Sequence, residues 1–472
     1  MSEPLRLAVI GAGPGGYTAA FRAADLGMRV SLIDEAPQPG GVCLYRGCMP
    51  SKALLHIAKV MTEVRGASEW GVEFGEPQVD LQRLRTWKER VVKKLTGGLA
   101  QLSQQRAINY IQGRATLVNP HTIRVDGANG DVETVSFDHA ILATGSRPAC
   151  LPGVSFDNEY ILDSTAALEI RKLPRNLLVV GGGYIGLELG SVYAALGTEI
   201  SLVEMTSGLL PGVDRDLVSV LARKLSRDFK SLNLNTSVSE VTKGDNRAQV
   251  TLSGPDNEMS TQQFDAVLVS VGRVPNSNID GLNQTRVEVD TRGFVSVDTQ
   301  CRTAEPSLFA IGDLVGEPML AHKAFHEGRV AVDAIAGNDA KFEPMAIPAV
   351  VFTDPELAWC GLTETQASRE GRKVAVSRFP WAASGRAITI DQPNGITKLV
   401  IDPDTEQVLG MGIAGAGAGE LIAEGVMAIE MGATPFDIKM SIHPHPTLSE
   451  TILEAAEVFL GQSTHVYRPK HK

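Results

Sequence analysis

Two thiols stand five residues apart in the run Gly40-Gly41-Val42-Cys43-Leu44-Tyr45-Arg46-Gly47-Cys48-Met49-Pro50-Ser51-Lys52. In a regular helix five residues rise about 7.5 Å, beyond the roughly 4.4 to 6.8 Å that separates the Cα atoms of a disulfide. Gly47 and Pro50 supply the irregularity that could bring the thiols together. A structural zinc would want a second pair, and Cys150, Cys301 and Cys360 are isolated, so no metal site is expected. Two unpaired core thiols remain the plain reading of the spacing alone. The second chemical cluster is Ile442-His443-Pro444-His445-Pro446-Thr447-Leu448-Ser449-Glu450. Pro446 can open a helix at its first turn, which predicts a helix over 447–460 with His445 near its N-cap and Glu450 about one turn on. A carboxylate in reach of an imidazole fixes its tautomer and raises its basicity, as a general base near neutral pH requires. Taken alone, such a histidine is more often a cap or a packed residue.

These groups need elements to hold them, and the chain writes one such unit twice. Leu7-Ala8-Val9-Ile10 runs into Gly11-Ala12-Gly13-Pro14-Gly15-Gly16; a small-residue helix ends near Gly27, and Val30-Ser31-Leu32-Ile33 ends at Asp34. Leu177-Leu178-Val179-Val180 runs into Gly181-Gly182-Gly183-Tyr184-Ile185-Gly186, and Ile200-Ser201-Leu202-Val203 ends at Glu204. From first glycine to acid the distance is the same 23 residues in both copies. Strand, GxGxxG turn, helix and acid form the dinucleotide-binding fingerprint. The first glycine makes the turn, the second admits the pyrophosphate, the third lets helix and strand pack, and the helix N-terminus favours the phosphate charge. The acid accepts from a ribose hydroxyl. One such turn could be a glycine-rich loop of any α/β domain, but two at equal spacing predict two dinucleotides on two nested folds. Beside a flavin-type dinucleotide fold, a redox-active disulfide becomes the sharper reading of Cys43 and Cys48.

Between the copies the pattern predicts helix over about 50–105 and then strands ending in Ala140-Ile141-Leu142-Ala143-Thr144-Gly145. Its counterpart in the second copy is Ala266 to Arg273. Leu308 to Asp313 reads as a buried strand ending in Gly-Asp, followed by a helix from about Leu320 to Ala336. After Pro348 come strands at 349–352, 398–401 and 408–413 and helices at 420–431 and 447–460, the order of an α+β domain.

Composition limits the partners. With 44 basic and 55 acidic residues the net charge is −11, and the only basic cluster is the short tail Arg468, Lys470, Lys472, so nucleic acid is not an expected ligand. Five cysteines in 472 residues exclude a secreted disulfide scaffold and suit the cytosol. No leader segment and no run of about 18 apolar residues is visible, so neither export nor a membrane span is expected.

On these motifs the chain resembles the flavoprotein pyridine nucleotide-disulfide oxidoreductases over its whole length, and within them the dihydrolipoamide dehydrogenase branch. Pro50-Ser51-Lys52 has the lipoamide-type form, where glutathione and trypanothione reductases typically carry Lys at position 51. Mercuric reductases want a C-terminal cysteine pair, and the last cysteine here is Cys360; the flavin transhydrogenases lack the disulfide. Met319 to Ala324, Phe379 to Ala387 and Ala455 to Gly461 match the same branch.

The resemblance implies an α/β fold with two nested dinucleotide-binding, Rossmann-like domains and a C-terminal α+β dimerisation domain. Residues 1–147 would bind FAD, 148–275 NAD, 276–347 would form a central domain completing the FAD site, and 348–472 would make the dimer interface. Gly11, Gly13, Gly16 and Asp34 would hold the ADP half of FAD, Thr144, Gly145 and Asp313 its diphosphate and ribityl chain, and Met319, Leu320, Ala321 and His322 the edge of its ring. Gly181, Gly183, Gly186, Glu204, Val238 and Gly272 would hold the nicotinamide cofactor, and Glu204 followed by Met205-Thr206 favours NAD over NADP. Lys52, paired with Glu188, would lie against the flavin. Cys43 would be the interchange thiol and Cys48 the thiol facing the flavin. His445, with Glu450, would act on the disulfide of the partner subunit, making the homodimer obligatory.

Implied, then, is oxidation of protein-bound dihydrolipoamide: His445 deprotonates a substrate thiol that attacks Cys43, Cys48 passes electrons to FAD, and hydride leaves for NAD⁺. The substrate arm would come from the lipoyl domain of a 2-oxoacid dehydrogenase or glycine cleavage type complex, since none precedes the first strand. The alternatives are a related NAD(P)H-dependent reductase of another small disulfide and a structural flavoprotein without turnover. Departures from the family pattern are Tyr45-Arg46, Met49 and Pro444, where Asn with an aliphatic residue, Ile and a small residue are common; they bear on which complex is served.

Overall fold

The computed structural model describes residues 3–127, 129–156, 159–243 and 247–467, and the basic tail residues Arg468, Lys470 and Lys472 lie outside them. The first apolar run forms the strand Arg6–Ile10, buried beyond its first residue. It lies in parallel between Arg29–Asp34 and His139–Leu142. A strand covered on both faces needs the continuous apolar sequence this one has. Leu308–Ala310 joins His139–Leu142 in parallel, and Asn109–Asn119 joins Arg29–Asp34. Two antiparallel strands, Thr122–Gly127 and Val132–Ser136, bring the sheet to seven.

The helices Pro14–Asp25 and Ala321–Ile335 cross against each other on this sheet. Their approach is so close that a Cβ at Gly328 would lie 2.7 Å from the Gly15 carbonyl oxygen. That contact carries the segment before the second helix, Met319 and Leu320, to the mouth of the first glycine turn, some three hundred residues away in sequence.

The second unit repeats the first. Asn176–Val180 stands between Glu199–Val203 and Ala266–Val269, all parallel, with Ser231–Asn233 and Ile161–Leu162 at the edges. Each unit also carries a three-stranded antiparallel meander; in the second it is a separate sheet, Ser237–Lys243, Ala248–Ser253 and Met259–Phe264.

The C-terminal part is an antiparallel sheet in the order Ala349–Val351, Glu356–Gly361, Val408–Gly415, Ile396–Ile401, Ala375–Pro380. The helices Ala418–Glu430 and Glu450–Leu460 pack on it through Ile422, Ile429, Ile452 and Val458. The strands Glu356–Gly361 and Ala375–Pro380 go beyond the sequence expectation: both are short runs bounded by Gly or Pro, and only their neighbours in the sheet define them. The helix expected from 447 begins instead at Glu450. The Thr447 hydroxyl donates to the Pro444 carbonyl and its N–H to Glu450 Oε2, which closes 444–449 into a turn ahead of the helix.

Charge joins this sheet to the second unit. Lys398, 1% exposed, places its ammonium 2.6 Å from Asp214, 2.8 Å from Asp216 and 2.8 Å from Glu364. Burial alone would push Asp214 up, and its bonds from Lys398 and Thr365 more than offset this, so the carboxylate stays ionised. The three carboxylates lie close enough together to hold a cation, and the lysine is that cation. Among the described residues no helix is long and apolar enough to cross a membrane.

Candidate active site

The two glycine turns are built alike. A Cβ at Gly11 would meet the Ala143 carbonyl oxygen at 2.2 Å, and one at Gly16 the Gly11 oxygen at 1.8 Å. The matching distances are 2.5 Å from Gly181 to Ser270 O and 2.3 Å from Gly186 to Gly181 O. First and third glycines are thus demanded by packing. The second is not: Gly13 has only the Gly41 Cα at 3.9 Å, and Gly183 has nothing within 4 Å. Each caps the following helix with no side-chain bond to the first N–H groups. Open space before uncapped N–H groups fits a diphosphate. The acids are also equivalent. Asp34 accepts from Ala12 N at 2.7 Å and Ala36 N at 2.9 Å, and Glu204 from Gly182 N at 2.7 Å and Thr206 N at 2.8 Å. Each ties its turn to the end of the next strand.

The cysteine run starts against the first turn. Gly40 N donates to Ala12 O, and Gly41, at φ +58°, lies so near Gly13 that a Cβ would stand 2.4 Å from the Gly13 Cα. Gly41→Ala is expected to destabilise the fold by about 1–3 kcal/mol, through the left-handed backbone and this contact. Thermal melting checks it, and an unchanged midpoint would show the two loops to be independent.

Cys43 sits in the short helix Gly41–Arg46, and Cys48 is the first residue of the helix Cys48–Gly66. The chain breaks at Gly47, where a Cβ would lie 2.8 Å from Val42 O and 3.3 Å from the Cys43 Cα. This break, not a continuous helix, brings the sulfurs within hydrogen-bonding reach, and both are free thiols in the structure. The Cys43 thiol donates to Cys48, and Lys52 stands one turn on, so Cys48 is held down to about 7 against the cost of burial. Cys43 is pushed up, because its proton serves that bond.

Lys52 Nζ lies 2.8 Å from Glu188 Oε2 and 4.5 Å over the Phe352 ring, and Glu188 Oε1 accepts from Phe352 N at 3.0 Å. Glu188 belongs to the helix of the second glycine turn and Phe352 to the C-terminal part, so the pair joins three regions. A cavity of about 670 Å³ extends from the first glycine turn to this pair. Gly11, Gly13 and Asp34 of the first turn line it together with Cys43, Cys48, Lys52 and Glu188. Thr144, Gly145 and Asp313 line it as well, as do Met319 and Ala321. Gly16 lies beneath the turn, and Leu320 caps the helix Ala321–Ile335. His322 turns away, its Nε2 donating to Pro348 O at 2.7 Å.

Several lining residues go beyond the sequence expectation. Arg273 donates to Ser146 Oγ at 2.7 Å, and Ser146 in turn to Asp313 Oδ2. Thr144 and Asn276 bond each other through Oγ1–H to O at 2.8 Å and Nδ2–H to O at 3.0 Å. Tyr184 occupies the wall between the two units. The available signal was position: Ser146 and Arg273 each follow a glycine three residues beyond a central strand, and Tyr184 stands inside the second turn.

The glycines and the acid of the second turn, Gly181, Gly183, Gly186 and Glu204, lie outside this cavity. Thr236 N donates to Glu204 O at 2.9 Å, which sets the strand bearing Val238 beside the acid. Gly272 has open space around it, at φ +125°. Arg215, the nearest arginine following the acid in sequence, is engaged by the carbonyls of Leu209, Leu210 and Val213.

His445 Nδ1 lies 2.9 Å from Glu450 Oε1, and its side chain is 79% exposed. Neither residue lines the cavity. One chain therefore brings Cys43, Cys48, Lys52 and Glu188 together and leaves the imidazole–carboxylate pair on another surface. That surface is apolar: Met427, Met431, Phe436, Met440 and Ile442 are all exposed there.

Residues 5–328 match the family model described as pyridine nucleotide-disulphide oxidoreductase, and residues 347–456 match its dimerisation domain. A dihydrolipoyl dehydrogenase of Vibrio cholerae is 47% identical, with 100% of this chain and 99% of that protein covered. One of Geobacillus stearothermophilus is 43% identical over 97% of both. Among solved structures, LpdA of Mycobacterium tuberculosis superposes with a TM-score of 0.89 at 26% identity, covering 96% of this chain and 99% of that one. The HOCl-induced flavoprotein disulfide reductase RclA of Escherichia coli gives 0.85 at 27%, covering 96% and 99%.

Proposed function

Because the chain belongs to the pyridine nucleotide-disulphide oxidoreductase family, we infer that it works as a dihydrolipoyl dehydrogenase, oxidising a dihydrolipoyl dithiol to the disulfide with NAD⁺ as acceptor. The observation that carries this reading is that the thiol pair lines the same cavity as a glycine turn fit for a diphosphate. FAD suits that cavity, with Gly11, Gly13 and Asp34 toward its ADP half and Asp313, Met319 and Ala321 toward the rest. The edge strand Leu308–Ala310, drawn from 276–347 into the first sheet, supports reading that stretch as the part that completes the FAD site. When bound, FAD takes the electron pair from the dithiol and delivers it as hydride to NAD⁺.

The protein's own residues do the rest. With Cys43 and Cys48 as a disulfide, His445 takes the proton of one substrate thiol, and the thiolate attacks Cys43 Sγ. The Cys43–Cys48 bond breaks, and Cys48 leaves as the thiolate that Lys52 and the helix N-terminus stabilise. The second substrate thiol gives up its proton to solvent as its sulfur attacks the substrate sulfur bound to Cys43, closing the substrate disulfide, and Cys43 leaves with the proton from His445. Glu450 holds the imidazole with Nε2 toward the substrate. In sum, dithiol and NAD⁺ become disulfide, NADH and a proton.

The exposed apolar face beside His445 suits a homodimer through the dimerisation domain, with each base serving the disulfide of the other subunit. The dithiol arm would be supplied by the lipoyl domain of a 2-oxoacid dehydrogenase or glycine cleavage type complex. Five cysteines in 472 residues are too few for a secreted disulfide scaffold and suit the cytoplasm. Comparing dihydrolipoamide with reduced glutathione as donor tests the reading; preference for glutathione would overturn it.

Glu204 sets the nicotinamide preference. A 2′-phosphate would meet this buried carboxylate, and Arg215, the next arginine in sequence, is held by three backbone carbonyls, so kcat/KM for NAD⁺ should exceed that for NADP⁺ by about a hundredfold or more. Equal values would sink the assignment of the second turn.

A further inference from the structure

The segment 441–446 carries the base, and among the described residues its backbone has little to hold it. Ser441 N donates back to Asp437 and Ile438, and the Pro444 carbonyl accepts from Thr447. What fastens its middle is His443. Its side chain is 7% exposed, against 79% for His445. Nδ1 lies 2.8 Å from Ser441 O, and Nε2 lies 2.8 Å from Glu424 Oε1 on the helix Ala418–Glu430. A carbonyl and a carboxylate can only accept, so both bonds exist together only when both ring nitrogens carry protons.

We propose that His443 is a positioning residue for the general base: its imidazolium, clipped between Ser441 and Glu424, fixes the 441–446 segment to the helix Ala418–Glu430 and so sets where His445 Nε2 meets the substrate thiol. This rests on the reading of His445 as the base. The acids acting on the ring are Glu424 and, from the helix Glu450–Leu460, Glu450. On the helix Pro435–Met440, Asp437 is engaged by Thr434 and Lys439 by Gln462. The bond to Glu424 is the largest cause that raises His443 above the ordinary histidine value. The clip is therefore complete below that ordinary value and is lost as pH rises through the raised one, when one of the two N–H groups goes.

The test uses the holoenzyme, with kcat for dihydrolipoamide followed from acid to alkaline pH, and NADH oxidation by ferricyanide as a reaction that needs no base. Glu424→Gln keeps the shape but not the charge, so His443 should lose its proton at lower pH and the alkaline fall in kcat should move down with it. His443→Gln should lower kcat by about tenfold to a hundredfold at neutral pH, as misplacement of a reacting group does, and remove that alkaline fall. Ferricyanide rates should stay unchanged in both. An alkaline fall that keeps its position in Glu424→Gln overturns the proposal, and so does a neutral ring at His443 in ¹⁵N-histidine spectra at neutral pH. His445→Gln separates the two readings. If it retains lipoamide turnover, the base assignment fails; if it loses turnover while Glu424→Gln leaves the fall in place, only the clip fails.

Discussion

Cys48→Ser should leave FAD bound and reduce dihydrolipoamide oxidation on the order of a thousandfold or more, as loss of a covalent catalytic group does elsewhere. The FAD contacts proposed above, from Gly11, Gly13 and Asp34 to Met319, do not involve the sulfur. The exchange does, because without Cys48 there is no disulfide for the substrate thiolate to break. The reduced wild type gives a second readout. Cys48 is held down to about 7, so above that pH it stands as a thiolate and should give a long-wavelength thiolate-to-flavin absorbance. The band should fade as pH falls through that value and be absent from the variant throughout. Wild-type lipoamide turnover in Cys48→Ser would end the disulfide mechanism.

Mixing two inactive enzymes should restore activity. Cys48→Ser and His445→Gln homodimers each lack a whole site if base and disulfide come from different subunits. After subunit exchange, a heterodimer holds one site with both lesions and one with neither. Half of the randomly formed dimers are heterodimers, each with one of two sites whole, so about a quarter of wild-type activity should return. The geometry motivates the experiment: the exposed His445–Glu450 pair does not line the cavity that Cys43 and Cys48 line in the same chain. Verified exchange with no recovered activity would refute the shared site and leave the roles of Cys43 and Cys48 standing.

What could be read without coordinates was what is local in the chain. A strand, a glycine at positive φ, a helix and an acid occupy one short stretch, and each residue's role follows from its neighbours in sequence; both turns are built as the pattern requires, down to the packing of the first and third glycines. The break at Gly47 is legible for the same reason, since a helix cannot bring residues five apart together. The last helix starts at Glu450 and not at 447, because Pro446 allows a first turn without compelling one. The Thr447 N–H, donating to Glu450, and its hydroxyl, donating to Pro444 O, close a different turn there.

Tertiary structure decided whatever joins distant parts. Lys52 and Glu188 lie 136 positions apart, and their pairing was implied only by resemblance; the packing of the helix Cys48–Gly66 against the helix Tyr184–Ala195 and the bond of Glu188 to Phe352 N supply its geometry. Asp313 reaches the cavity because Leu308–Ala310 enters the first sheet, and Ser146 and Arg273 then hold it. His443 has no assigned role in the sequence, and only the fold brings Glu424, nineteen positions earlier, to face it. The sequence by itself determined the turns, the thiol spacing and the kind of chemistry, because backbone torsion and short-range sterics act between near neighbours. Which charges pair, and which side chains share a cavity, depends on packing between helices and sheets that no local pattern encodes.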